Sequence, residues 1–278
     1  NEQLRDDVEN YCDFASIERI TADGYRRSEK CFSRHLDRPA TRHDLSAVAV
    51  NRWLSSLQGT KSPKTILNRK RGLTPVWNWL ATQGFVDNYN PLQLKKIKVT
   101  QKSVAAWSTA DVRALLAGSD DVEGRLQNGQ PASAYLRAWI RIAYETGLRP
   151  SDMRELRWED FADDCLQIVQ HKTGFPIAKR ISPTACKELD QIRSKNDKVF
   201  QLSKAGMRRW ERKLWEAAEK HGFHRTKGQA SGTLRKTHGT EVCRVRNPSE
   251  AALALGHVSG PRVALQSYIE ASAIGIRE

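Results

Sequence analysis

Thr146-Gly147-Leu148-Arg149-Pro150-Ser151-Asp152 holds a helix stop, an arginine and a helix start within seven residues. Upstream, Leu136, Ile140 and Ala143 form one apolar stripe, which predicts a helix over 132–146. Gly147 ends that helix, and Pro150-Ser151-Asp152 opens the next one. Arg149 stands at the junction, and Leu156-Arg157-Trp158 follows.

Working outward, Leu166, Ile168 and the Ile177–Ile181 run read as a β-hairpin around Gln170-His171-Lys172-Thr173-Gly174. Helices are predicted at about 184–195, 204–220, 234–246 and 248–256. Thr233-Leu234-Arg235-Lys236-Thr237-His238 opens one of them. Leu255-Gly256-His257 closes another, and Tyr268 comes eleven residues after His257. On the N-terminal side, Ser108-Thr109-Ala110-Asp111 caps a helix ending before Gly118, and 119–131 reads as a loop. Earlier still, 4–17 and 21–35 have helical spacing, and Thr41 and Asp44 suit the caps of a helix running to about Ser56. Ser62-Pro63 opens a long helix to about Thr82, which Pro75 should kink or interrupt. These elements predict a mainly α chain with one small β-sheet. The division is a helical domain at 1–90, a linker at 91–107 and a second domain at 108–278.

The chain has 278 residues with a formal charge of +14, which favours a polyanionic partner. That charge is uneven: −2 over residues 1–44, +9 over 45–104 and +7 over 105–278. The +9 stretch holds a single acid, Asp87, and interleaves its cations with Trp53, Leu57, Ile66, Leu67, Leu73, Trp77 and Leu80. It is a folded basic face, not a disordered arm. Lys61, Lys64, Arg69, Lys70, Arg71, Lys95 and Lys96 are its candidate DNA contacts. Cysteines at 12, 31, 165, 186 and 243 are odd in number and widely spaced, which argues against a disulfide framework or a Cys-rich zinc site. No apolar run approaches the roughly 18 residues of a membrane span. No secretory signal pattern opens the chain, so a cytoplasmic, nucleoid-associated protein without membrane contact is expected. A chain beginning at Asn1 leaves open a further N-terminal DNA-binding domain.

The segments at 146–152, 170–174, 233–238 and 255–257, followed by Tyr268, resemble in order and spacing the tyrosine recombinases, or phage-type integrases. The N-terminal part, closed by Asn90-Pro91, resembles that family's helical, SAM-like core-DNA-binding domain. The resemblance implies an enzyme that cleaves and rejoins double-stranded DNA through a 3′-phosphotyrosyl intermediate, with no cofactor and no metal. It also implies a homotetramer on DNA. Tyr268 would be the nucleophile, and Arg149 and Arg235 would clamp the non-bridging oxygens. Lys172 would protonate the leaving 5′ oxygen. His257 would hydrogen-bond the phosphate or steer a proton, and Asp152 would support the site.

Those residue types suit the chemistry. Phosphoryl transfer depends on positioning and on stabilising charge in the transition state. A guanidinium offers a planar fork of donors and keeps its charge, and tyrosine can serve as a covalent nucleophile. One departure stands out: Gly232 occupies the position where the family usually has a histidine. His238, about one turn after Arg235, either stands in for it or packs, and His224 is another possible donor. The gap keeps two alternatives open: a catalytically impaired DNA-binding relative with an accessory or regulatory role, or an enzyme like a type IB topoisomerase or telomere resolvase.

Overall fold

The computed structural model describes residues 2–87, 89–100, 104–226, 229–257, 260–270 and 273. The chain divides into two units, Asn1–Gln101 and Lys102–Glu278. Among the described residues, no helix is long and apolar enough to cross a membrane.

The first unit is helical. Its helices are α1 (Leu4–Phe14), α2 (Arg19–His35), α3 (Ala47–Ser56) and α4 (Pro63–Thr82). Thr41 and Asp44 cap each other around a short 3-10 turn, and they do not start α3. Asp44 is also taken by Arg38, so the cap of α3 passes to Ser46, whose side chain accepts from Ala49 N–H. Ser62 caps α4 in the same way, with Pro63 at the first helical position. Pro75 does not interrupt α4, which runs through it to Thr82. A proline inside a helix costs about 3 kcal/mol. Leu73, Val76, Trp77 and Leu80 around it are all buried in the core, and each contributes about 1.5–3 kcal/mol. Continuity therefore wins. Part of the predicted linker belongs to this unit: Leu94 is buried in its core, with Tyr89 and Ile97 packed alongside.

The second unit is built on α6 (Ala132–Thr146), which buries Tyr135, Leu136, Trp139, Ile140 and Ile142. Around it stand α5 (Thr109–Asp120), α7 (Pro150–Glu155), α8 (Pro183–Gln191), α9 (Lys204–Glu219) and α10 (Thr233–Val245). Then come α11 (Pro248–Ala254) and α12 (Pro261–Ser267). A three-stranded antiparallel sheet runs β1 (Phe161–Ala162), β2 (Cys165–Val169), β3 (Pro176–Arg180) in spatial order. Leu166 pairs with Lys179 and Ile168 with Ile177, so these four share one face. Two elements have no counterpart in the sequence-based expectation. The two residues of β1 are too short for a period to show. The helix α12 holds little more than Ala264 as a buried anchor. A small separate core of Cys243, Ala251, Ala252, Leu255, Ala264 and Ile269 joins α10, α11 and α12.

Candidate active site and nucleic-acid interface

Arg149 is aimed by the bend between α6 and α7. Gly147 caps α6 in the left-handed region, at φ 65°, and Arg149 is the N-cap of α7. Its side chain is 12% exposed and lies 3.7 Å from Asp152 Oδ2. Nη1 of Arg149 donates to Gln170 Oε1 at 2.7 Å. Asp152 is buried one helical turn behind.

Arg235 comes from the first turn of α10 and is 2% exposed. Nη1 donates to Gly147 O at 2.6 Å and Nη2 to Leu255 O at 2.6 Å. No carboxylate pairs with it among the described residues. Burial first, and the charge of Arg149 second, pull its guanidinium below the ordinary range. Its Nε is buried with no partner among the described residues.

His257 follows α11. Its Nε2 lies 3.3 Å from Arg235 Nη2. Arginine only donates, so Nε2 is the acceptor and Nδ1 carries the proton. That Nδ1 is buried without a partner among the described residues. Burial, then Arg235, then Arg149 push the ring down to about 4, so it is neutral at pH 7.

Tyr268 caps the end of α12. Its ring centroid lies 4.8 Å from Arg235 Cζ and 5.0 Å from the ring of His257. Thr240 of α10 holds the backbone there, donating to Tyr268 O and accepting from Glu270 N–H. One chain therefore brings together Arg149, Asp152, Arg235, His257 and Tyr268. Two arginines and a neutral histidine, with unused buried donors and one nearby carboxylate, form a site for an anion beside a phenol.

Residues 108–273 match the model of the phage integrase family. The chain belongs to the phage integrase family. It is 33% identical over 82 residues to the integrases of Escherichia phage lambda and Enterobacteria phage 434. That match takes in 29% of this chain and spans about a quarter (23%) of each curated relative. The fold is similar to that of DNA-bound lambda integrase (its residues 75–356), with a TM-score of 0.69 at 17% identity over 92% of each chain. It is also similar to the XerH recombinase on its difH substrate, at 0.68, 19% identity, and 91% and 77% coverage. For the Tn1549 transposon integrase with a circular-intermediate DNA the values are 0.72, 14%, 98% and 96%. The second unit is thus a tyrosine recombinase catalytic fold.

Lys172 is exposed at the hairpin tip. His238 packs: its Nδ1 donates to Tyr144 O at 2.9 Å, and its Nε2 is buried without a partner among the described residues. Burial, followed by the charge of Lys179, pushes that ring down to about 4. With its ring bonded to α6, His238 does not fill the place left by Gly232, where an added Cβ would meet Pro150 Cγ at 3.8 Å among the described residues. His224 is exposed.

The structure adds Lys179, which the alternation Ile177, Lys179, Ile181 already turned inward. It makes no ion pair among the described residues, and burial and Arg235 lower its ammonium to about 8. Gln170, also unmarked in the sequence reading, is buried between Arg149 and Leu255.

The cations of the first unit separate into two sets. Arg69 and Lys61 line a cavity of about 200 Å3 with Arg27, Lys30 and Arg34 of α2. Arg27, Arg69 and Arg71 line a neighbouring one of about 400 Å3. Lys64 is exposed near the start of α4. Lys70 faces away from those cavities, donating to Lys95 O at 3.0 Å and losing basicity through burial. Lys95 itself is spent on Ser55 and Gln58 of the α3 region, and Lys96 is exposed. The α2 cations escaped the sequence reading because residues 1–44 carry a net negative charge; only the fold segregates acids from bases. In the second unit, Lys204, Arg208, Arg209, Arg212 and Lys213 are all exposed on α9.

Proposed function

We propose that this chain is a site-specific DNA recombinase that cleaves and rejoins duplex DNA through a 3′-phosphotyrosyl link. The observation that carries this is the placement of Tyr268 against Arg235 and His257 within a single chain. Arg149 and Arg235 hold the non-bridging oxygens of the scissile phosphate, and Asp152 keeps Arg149 in its rotamer. The unpaired Arg235 Nε–H and His257 Nδ1–H are donors held ready for phosphate oxygens, so binding the anion removes a desolvation cost already present in the free protein. Tyr268 oxygen attacks phosphorus, and its phenolic proton leaves to solvent. The bond to the 5′ oxygen breaks, and Lys172 on its exposed arm supplies the proton that makes a 5′ hydroxyl. Attack by a second strand's 5′ hydroxyl reverses the step. The phosphotyrosyl bond conserves the energy of the phosphodiester, so neither ATP nor a metal ion enters this scheme.

Double-stranded DNA is the partner, gripped by the α2–α4 cations and the exposed face of α9. Four protomers act on two duplexes, a reading supported by the fold's similarity to a lambda integrase tetramer bound to a Holliday junction. The setting is the cytoplasm, in association with the nucleoid. A nicked suicide duplex followed by denaturing electrophoresis tests the reading. A covalent adduct that disappears in Tyr268→Phe supports it. Tight DNA binding with no adduct makes the chain an accessory DNA-binding protein instead.

A further inference from the structure

Gln170 closes the turn that carries Lys172 with its backbone N–H, its carbonyl and its side-chain oxygen. Its N–H donates to Phe175 O at 2.9 Å, and its carbonyl accepts from Gly174 N–H at 2.8 Å and Thr173 N–H at 3.3 Å. The residue is 1% exposed. Oε1 accepts from Thr173 Oγ1 at 3.0 Å and from Arg149 Nη1 at 2.7 Å. Nε2 donates to Leu255 O at 3.3 Å, the same oxygen that accepts from Arg235 Nη2. Behind that carbonyl, a Cβ on Gly256 would lie 2.6 Å from Oε1, so the 255–257 segment is pressed onto the amide. One buried side chain thus touches the hairpin turn, the first arginine and the backbone oxygen that orients the second.

We propose that Gln170 is a positioning residue for strand transfer: its buried amide holds the Lys172 turn in register with Arg149 and with the segment that carries His257. The proposal rests on the strand-transfer reading above. Only an amide fits all three contacts. A carboxylate has no donor for Leu255 O and would neutralise Arg149, whereas the neutral Oε1 occupies one of five guanidinium donors and leaves the charge for phosphate. An aliphatic chain of the same size would leave Leu255 O and Thr173 Oγ1 without this link, and the tip bearing Lys172 would lose its tether to the site.

Lys172 acts only when the leaving oxygen needs its proton. In cleavage the Tyr268 O–P bond forms, the P–O5′ bond breaks, and the ammonium proton passes to O5′. If sulfur replaces that bridging oxygen, the P–S bond breaks and a thiolate leaves without protonation, since a thiol has a pKa of about 8.5. Sulfur substitution therefore separates loss of the Lys172 arm from damage to the arginine pair.

The experiment uses the full chain and a duplex that it selects from a random-sequence pool. That duplex is made in two forms, with oxygen or with sulfur at the bridging 5′ position of the scissile phosphate mapped by the wild-type adduct. Gln170→Ala and Thr173→Val are compared with Lys172→Ala for the rate of covalent adduct formation. Melting and duplex affinity are followed in parallel. On the oxygen duplex each variant is expected to fall by about 10–100-fold, a fraction of what general acid catalysis supplies. On the sulfur duplex Gln170→Ala and Thr173→Val are expected within about 3-fold of wild type. Thr173 is exposed, so Thr173→Val decides the matter if Gln170→Ala does not fold. Equal losses on both duplexes, or no loss on either, overturn the proposal and leave the strand-transfer reading standing. A wild-type protein that binds both duplexes and forms an adduct with neither overturns both.

Discussion

Gly147 and His238 touch so closely that a Cβ at 147 would lie 2.4 Å from His238 Cδ2. The glycine ends α6 in the left-handed region, and the histidine behind it is bonded to Tyr144 O. Together they fix the direction in which the chain leaves α6, and so the direction of Arg149. Gly147→Ala meets both a backbone penalty and a steric one. It should lower stability by about 2–4 kcal/mol in a denaturant melt, and at temperatures where the protein is still folded it should form phosphotyrosyl adduct more slowly. A melt unchanged from wild type would show that the bend is not held by this contact.

Arg149→Ala and Arg235→Ala should still bind duplex DNA and fail to cleave it. Loss of one preorganised donor to a developing oxyanion typically costs about 100–1000-fold. Arg235→Lys should recover little of this, because an ammonium cannot reach Gly147 O and Leu255 O and also present a planar fork to phosphate. Single-turnover adduct rates under saturating protein measure it, and near-wild-type cleavage by either alanine variant would sink the site assignment.

Acid should destabilise the second unit through its buried neutral histidines. His238 and His257 are both lowered to about 4, mainly by burial. The unfolded chain binds their protons near pH 6.5, before the folded chain does. The stabilisation they contribute as neutral rings is complete above pH 6.5 and is lost as pH falls toward 4. The His238 share is on the order of 2–3 kcal/mol. Melts across that range, compared with His238→Asn, should show a shallower pH slope in the variant; an identical slope would rule His238 out as the source.

Alanine at Arg27, Lys30, Arg34, Lys61 and Arg69 should weaken DNA binding and flatten its salt dependence. The slope of log affinity against log salt should drop by about 0.9 for each phosphate that is no longer neutralised. Lys70→Ala should leave that slope within error, because its ammonium is turned to Lys95 O. Fluorescence titrations between about 50 and 200 mM salt separate the two cases; a larger drop from Lys70 than from the α2 cations would move the DNA face to the other side of α4.

Local signals in the chain mark most of the long elements. Caps such as Ser62 and Ser108, the stripe on α6 and the alternation around Lys172 all act within a few residues, so they can be read from the order of side chains. Short elements escape such reading. The two residues of β1 and the single turn-pair of α12 hold too few apolar positions to display a period, and they form because neighbours already in place cover them. At Pro75 the local rule pointed to a kink or an interruption, and the buried residues on either side keep the helix continuous.

The sequence by itself determined a helical, basic chain with one hairpin, and it named Arg149, Arg235, His257 and Tyr268 through their motifs. Only the tertiary structure decided that these four meet in one chain, that His238 packs, and that Lys70 turns from the basic groove of α2 and α4. It also decided that Gln170 and Lys179 stand beside the arginines. The reason is physical: periodicity specifies which face of an element is buried, over distances of one or two turns. Which residue meets that face from 20 or 90 positions away depends on packing, and packing exists only in the folded chain.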